Sequence, residues 1–304
     1  MTPIRFSLFT ALLPLLWISC QSISKPPESS LSDAAKGSEL QRVVSPKLPA
    51  QMRFAGEIVP LEQTDVRERL EQELIANMYL HTSTLTILKR DRRWRKVIQD
   101  QLTQAGVPED FYFLAMAESR LDNLAVSPAG AVGMWQFMPA TAGEYGLEVG
   151  KHVDERKDPF ISPLAAARYL NKAHEKFGNW TAVAASFNRG MAGLERAMSA
   201  QKSQSYYDLY LNTETYRYVF RVLALKLILE DPESYGYHVP ASEKYAPWAF
   251  REMEITETIA DLPAFALAQG ISYGELKRLN PWLDSATYEL PVAPGKKYVM
   301  RLPA

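Results

Sequence analysis

The chain is poor in the residues that usually carry covalent or metal chemistry. Its one cysteine among 304 residues, Cys20, rules out an intramolecular disulfide. The four histidines, His81, His152, His174 and His238, show no ligand spacing, so no metal or other cofactor is expected. An excess of one charge is lacking too. A formal net charge of -1 gives no electrostatic case for nucleic acid, while glycans and other weakly charged polymers stay open. What is present, 47% hydrophobic and 23% charged residues, is ordinary for a globular chain and gives no compositional case for overall disorder.

The N-terminal region also lacks the ~20 consecutive apolar residues that a membrane span needs. After Arg5, an apolar run from Phe6 to Ile18 is broken by Ser7, Thr10 and Pro14, which fits the h-region of a secretory signal. "LLWISC" then resembles a bacterial lipobox ending on a lipid-modified Cys20, with Trp17 standing where an aliphatic residue is usual. Acyl chains on Cys20 would anchor the chain to a membrane. Gln21 carries no inner-membrane retention signal of the Asp type, so the expected place is the periplasm, lipid-anchored to the outer membrane. Residues 1–19 are therefore read as a lipoprotein signal peptide. Residues 20–62, rich in Ser, Pro, Lys and Gln, are read as a disordered tether. About 40 such residues span roughly 35 Å r.m.s..

Residues 63–236 read as helix almost throughout, with no alternating strand pattern. A segment from Arg67 alternates apolar and charged residues at helical spacing and stops at Gly106, after which Pro108 opens the next helix. "SPLAAARYLNKAHEKFG" carries Ser162 as N-cap, Pro163 as first helical residue and Gly178 as stop. His174, beside Lys172 and Glu175, is expected on a solvated face. "TETYRYVFRVLALKLILEDP" is a further helix closed by Asp231-Pro232. Residues 237–304 change texture to a small α+β module. A short "LPAFALAQG" helix is followed by a second with Ser272 and Glu275 in capping-box spacing, and "FREMEI", "YELPVAP" and "KKYVMRLP" are extended candidates.

One residue in the helical part breaks the pattern. In "FYFLAMAES", Phe111, Leu114, Ala115 and Glu118 share one helical face while Tyr112, Met116 and Ala117 cover the rest, so the helix is buried on all sides and ends on a lone carboxyl. Desolvation and the negative end of the helix dipole both favour the neutral acid; Arg120, if folded back, opposes them. A carboxyl protonated near neutral pH suits a general acid acting on a glycosidic oxygen, although a helix-end Glu satisfied by Arg120 or a backbone amide is the plainer alternative. A second catalytic carboxylate would have to stand about 5 Å away (retaining) or about 6.5–9.5 Å away (inverting). Asp122 lies on the same wall if the helix continues. Asp154 and Asp158, in an apparent loop, could approach, but no spacing requires it. A mechanism with one carboxylate is favoured.

"AESRLDNLAVSPAGAVGMWQFMPATAGEYGL", with "AASFNRG" and "ETYRYV" following in order, resembles the soluble-lytic-transglycosylase (SLT) domain, glycoside hydrolase family 23. The resemblance covers roughly residues 100–235. It implies a mainly α, lysozyme-like catalytic domain acting on peptidoglycan glycan strands. In that family the glutamate protonates the oxygen between N-acetylmuramic acid and N-acetylglucosamine, then serves as base while the muramyl C6 hydroxyl closes onto C1 to give a 1,6-anhydro product. Glu118 would be that acid and base. Ser127 and Gln136 would hydrogen-bond the substrate or the glutamate, Met138 would line the sugar-binding wall, Asn188 and Glu214 would stand across the groove, and Tyr218 would help close the site. Met134, Trp135, Phe137 and Met138 could equally be core packing. Phe187 departs from the family, which carries a tyrosine there whose hydroxyl reaches the glutamate; Tyr216 or Tyr218 could supply that hydroxyl instead. A milder departure is "NRGMAG", where the second glycine falls one residue late. The C-terminal module resembles a degenerate LysM unit, "GISYGELKRLNPWL" and "LPVAPGKKYVMRLP" carrying the likeness, with glycan binding and a purely structural cap both open. A goose-type lysozyme using water and a wall-binding protein with an inactive site are the competing readings.

Overall fold

The computed structural model describes residues 43–284 and 287–304. The expected signal peptide, Cys20 and the tether up to residue 42 lie outside the described residues. In chain order the elements are β1 (Arg53–Phe54), β2 (Glu57–Ile58), α1 (Thr64–Tyr79), α2 (His81–Gln104), α3 (Tyr112–Ser119), α4 (Pro139–Glu144), α5 (Ser162–Phe177), α6 (Trp180–Arg189), α7 (Met191–Gln201) and α8 (Thr213–Glu230). A second group follows: β3 (Phe250–Ile255), α9 (Leu262–Ala268), α10 (Tyr273–Leu279) and β4 (Tyr298–Pro303).

α8 is the axis of the helical part. Tyr218, Val219, Phe220, Val222, Leu223, Ala224 and Leu225 are all buried, as a helix with no continuous polar face must be. α1 and α3 pack against it, and α6 packs against α5, α7 and α8. The helix expected to run on to Gly106 breaks at Leu80, between α1 and α2. The carbonyls freed at the end of α1 are taken by side chains: the Thr84 hydroxyl donates to Asn77 at 2.5 Å and the Tyr237 hydroxyl to Met78 at 2.7 Å. Ser162 is the first residue of α5 rather than its cap, and its hydroxyl donates to the Asp158 carbonyl at 2.7 Å. Gly178 does close that helix, at φ 70°.

The tether expectation fails at its C-terminal end. From Ser45 the chain is part of the same unit as the helices. Met52, Phe54, Val59 and Leu61 are buried in the main core, with the Phe54 ring 5.4 Å from that of Phe111. The hairpin is also tied down by polar contacts. The Ala55 N–H donates to Asp110 at 2.7 Å, and Glu57 accepts from the Trp180 and Thr181 N–H groups at 2.5 and 2.9 Å.

The C-terminal group builds its own core. β3 and β4 pair antiparallel, Phe250 opposite Pro303 and Ile255 opposite Tyr298. The Ser272–Glu275 capping box forms as its spacing requires. "YELPVAP" contributes one bridge, Leu290 to Ile259, instead of a strand. Leu262, Leu276, Trp282, Leu290 and Met300 fill this core together with Val153 from the helical domain. The stretch after Gly236 is strapped along α2, where Arg92 and Arg93 donate to the Ala241 and Ala246 carbonyls at 2.7 and 2.9 Å.

Candidate active site

Glu118 sits in the last turn of α3, which stops abruptly one residue later. Arg120 and Leu121 both take left-handed backbone angles, φ 59° and 57°. Such a conformation costs a non-glycine residue roughly 1–2 kcal/mol. Burial of the Leu121 side chain, worth roughly 1.5–3 kcal/mol, offsets it. Arg90 of α2 fixes the turn by donating to the Arg120 carbonyl at 3.0 Å and the Asp122 carboxylate at 2.8 Å. Asp122 is thereby turned away from the face it would share with Glu118 in a continuing helix.

Packing of α3 on α8 brings Tyr218 to the glutamate, and its hydroxyl donates to Glu118 Oε1 at 2.6 Å. The positive charge that reaches Glu118 belongs to Arg221, one turn along α8. Burial pushes the Glu118 carboxyl up to about 7, the Tyr218 hydrogen bond and Arg221 pull it down, and the Glu214 charge pushes it up. Tyr218 itself is held well above the usual phenol range by burial and by the adjacent carboxylate, so it stays a donor. Tyr216, the other candidate for this hydroxyl, bonds Asp65 at 2.9 Å instead.

Phe187 fills its place by packing. Its ring lies 5.1 to 6.1 Å from those of Tyr169, Phe137 and Trp135. Met134, Trp135 and Phe137 are buried core residues, whereas Met138 is 42% exposed and free to meet a ligand. Ser127 and Gln136 do not bond the glutamate. The Ser127 hydroxyl accepts the Ala131 N–H at 3.0 Å, and the Gln136 amide donates to Gly133 and Ala125 carbonyls at 2.8 and 3.2 Å, so both hold the loop 122–138 in shape. That loop is gripped from below by Arg156, which donates to the Phe137 and Gly130 carbonyls at 3.1 and 3.3 Å. A side chain at Gly133, at φ 85°, would place its Cβ 1.9 Å from the Arg156 carbonyl oxygen, which explains the glycine.

Asn188 and Glu214 border one cleft with Thr215, whose hydroxyl donates to Asn188 Oδ1 at 2.9 Å. Glu214 is exposed and paired with Arg221 at 3.1 Å. The two loop aspartates are committed elsewhere. Asp154 forks onto Arg156 at 2.8 and 2.9 Å, and Asp158 is buried on Arg301 at 2.8 Å. His174 is not simply solvated either: it stacks on Trp180 with ring centroids 3.9 Å apart. Sequence reasoning passed over Arg221, Thr215 and Arg156. Arg221 had a signal, since it falls three residues after Tyr218 on the same helix.

The chain is similar to known proteins over two spans. Residues 96–210 match the transglycosylase SLT domain, and residues 251–304 match the soluble lytic transglycosylase C-terminal LysM-like domain. Glu118, Ser127, Gln136 and Asn188 fall inside the first span, while Glu214 and Tyr218 lie just beyond it. The chain is 30% identical over 244 residues to membrane-bound lytic murein transglycosylase D of Escherichia coli K12, an alignment covering 79% of this chain and 52% of that protein. It therefore spans about half the length of that curated relative. A putative tributyltin chloride resistance protein of an Alteromonas strain is 26% identical over 129 residues, 42% of this chain and 62% of its own. Among solved structures, the lytic transglycosylase Slt of Pseudomonas aeruginosa aligns with a TM-score of 0.40 and 20% identity, covering 60% of this chain and 35% of that one. Residues 96–210, which carry Glu118, thus belong to the transglycosylase SLT domain family, and residues 251–304 to the soluble lytic transglycosylase C-terminal LysM-like domain family.

Proposed function

We propose that this chain is a peptidoglycan lytic transglycosylase that cleaves the β-1,4 bond between N-acetylmuramic acid and N-acetylglucosamine and leaves a 1,6-anhydro-muramyl end. The observation that carries this reading is a half-buried Glu118 whose carboxyl titrates at about 7 while a buried tyrosine hydroxyl holds one oxygen. At neutral pH a large fraction is protonated and can donate to the glycosidic oxygen. The carboxylate left behind is the base that takes the C6 hydroxyl proton as that oxygen closes onto C1. No water enters the bond, and the substrate's own acetamido group assists, which removes the need for a second carboxylate. Ser127 and Gln136 keep the loop 122–138 in place beside the substrate, Met138 offers an exposed apolar contact, Phe187 backs the aromatic floor, and Asn188 and Glu214 border the cleft from the α6 and α8 side.

The relative's name, with "LLWISC" in this sequence, supports a periplasmic protein anchored by lipid on Cys20 to the outer membrane. Among the described residues no helix is long and apolar enough to cross a membrane. The LysM-like module is proposed to bind the same glycan. Purified peptidoglycan should be digested with protein lacking residues 1–20, beside Glu118→Gln, and the muropeptides resolved by mass. Anhydro products, one water lighter than reducing-end species and missing with Glu118→Gln, are expected. Reducing-end muramic acid would instead assign a goose-type hydrolase, with Glu214 as the carboxylate to test next.

A further inference from the structure

Beyond Asn188 the cleft continues between the start of α7 and the segment leading into α8, and its chemistry differs from that of the catalytic residues. Two arginines, Arg189 and Arg196, line both of its adjoining depressions. Among the described residues neither has a carboxylate partner. The acidic side chains nearby are already used: Glu214 is paired with Arg221 at 3.1 Å, and Glu195 with Lys176 at 2.7 Å. Arg189 is also seated. Its Nε donates to the Gly193 carbonyl at 3.1 Å, and a Cβ at Gly193 would stand 3.1 Å from Arg189 Cγ. The late glycine of "NRGMAG" thus leaves the berth in which this side chain lies, and among the described residues the terminal guanidinium nitrogens stay uncommitted.

The opposite rim carries Tyr210, whose side chain is 86% exposed although its backbone is held rigidly. Gln201 at the end of α7 clamps it from both sides, donating to the Tyr210 carbonyl and accepting the Tyr210 N–H, each at 2.8 Å. An exposed aromatic ring on a clamped backbone, beside two arginines without a carboxylate partner, has the make-up of a recognition site, because arginine forks match carboxylates and a tyrosine offers a large amphipathic contact area.

We propose that this cleft is a carboxylate-binding subsite that receives the acidic side branch of the glycan, the lactyl group of muramic acid or the peptide attached to it, with Arg189 and Arg196 as specificity-determining residues. The proposal rests on the transglycosylase reading and refines its substrate. Each arginine forms charge-assisted hydrogen bonds to the branch while Tyr210 packs against it, so the acidic strand binds in preference to a neutral one. Exposed charges are screened by salt, and the preference fades as ionic strength rises.

The test compares the protein lacking residues 1–20 with the double variant Arg189→Gln/Arg196→Gln on three substrates. These are intact peptide-bearing strands, strands stripped of peptide by an amidase, and stripped strands whose lactyl carboxylates have been chemically amidated. Release of anhydro products gives kcat/KM for each. The expected result is a loss of about tenfold for the variant on acidic strands, with the amidated strand cleaved equally by both proteins. Loss confined to intact strands assigns the peptide carboxylates; loss confined to stripped strands assigns the lactyl carboxylate, which the peptide masks as an amide in intact strands; loss on both shows that the subsite takes either carboxylate. The corresponding double lysine variant, which keeps the charge, should recover part of the loss. An equal loss on all three substrates, or no loss on any, overturns the proposal. If the unaltered protein releases no anhydro product from any substrate, the transglycosylase reading falls first and this one with it.

Discussion

At the scale of single residues, the proposed chemistry turns on one proton. The Tyr218 hydroxyl stabilises the charged form of Glu118, so removing it in Tyr218→Phe should raise the carboxyl above its value of about 7. A hydrogen bond worth about 0.5–1.5 kcal/mol corresponds to roughly half to one pH unit. The alkaline limb of the kcat/KM profile should therefore move upward by that amount, and a limb that stays or moves down would remove Tyr218 from the role given it. Glu118 also makes a stability prediction. Its carboxyl goes from the ordinary 4.5 to about 7 on folding, so the folded state binds more protons between those values and stability falls as pH rises through that window. Glu118→Gln removes the burden of an ionised, half-buried carboxylate that folding desolvates. It should be more stable than the parent by roughly 2–3 kcal/mol at pH 8 and indistinguishable at pH 4, as read from urea midpoints. Glu118 was legible in the sequence because a lone carboxylate ended an apolar helix. Its partner was not: Tyr216 and Tyr218 lie about 200° apart around the helix, and only packing on α3 decides which one faces inward.

At the scale of elements, periodicity gave the long helices, and cap chemistry gave the α10 box and the Gly178 stop. The β1–β2 hairpin was missed because two-residue strands have no period to read, and Ser/Pro-rich composition spoke for disorder just upstream. The hairpin nonetheless serves the site. Glu57 takes the Trp180 and Thr181 N–H groups and the Thr181 hydroxyl, while Asn179 takes the Ala182 N–H, so the open end of α6 is satisfied from a distant segment. The carboxylate also complements the positive end of the helix dipole, and the last turn of that helix carries Phe187 and Asn188. Glu57→Gln would turn an acceptor into a donor facing N–H groups. It should cost about 1–2 kcal/mol and lower Tm by several degrees, with Glu62→Gln, on the same connection, as an unaffected control. A Tm equal to the parent's would mean that α6 is held by packing alone.

For the whole molecule, the sequence divided the chain into a catalytic part and a module behind it, and nothing in composition or spacing showed how the two are joined. Val153 belongs to the module's core, the Asp154 N–H donates to the Trp282 carbonyl at 2.7 Å, and Arg301 of β4 reaches Asp158 with both side chains almost fully buried. Burial raises the Asp158 carboxyl while Arg301 pulls it down. The guanidinium is also stacked 4.1 Å from the Phe160 ring centroid, so charge and packing are lodged in one place. Asp158 and Arg156 lie on the same short segment, and Arg156 grips the loop 122–138, so the module is continuous with the support of the site. Breaking such a pair from one side leaves a charge buried, at a cost of about 3–5 kcal/mol, whereas replacing both partners by neutral groups of similar shape is far milder. Arg301→Met should therefore destabilise strongly, Arg301→Met/Asp158→Asn should recover most of the loss, and both parts should unfold in one transition. A double variant as unstable as the sum of its singles would show that the two charges are not coupled, and two separated transitions would show that the module stands on its own.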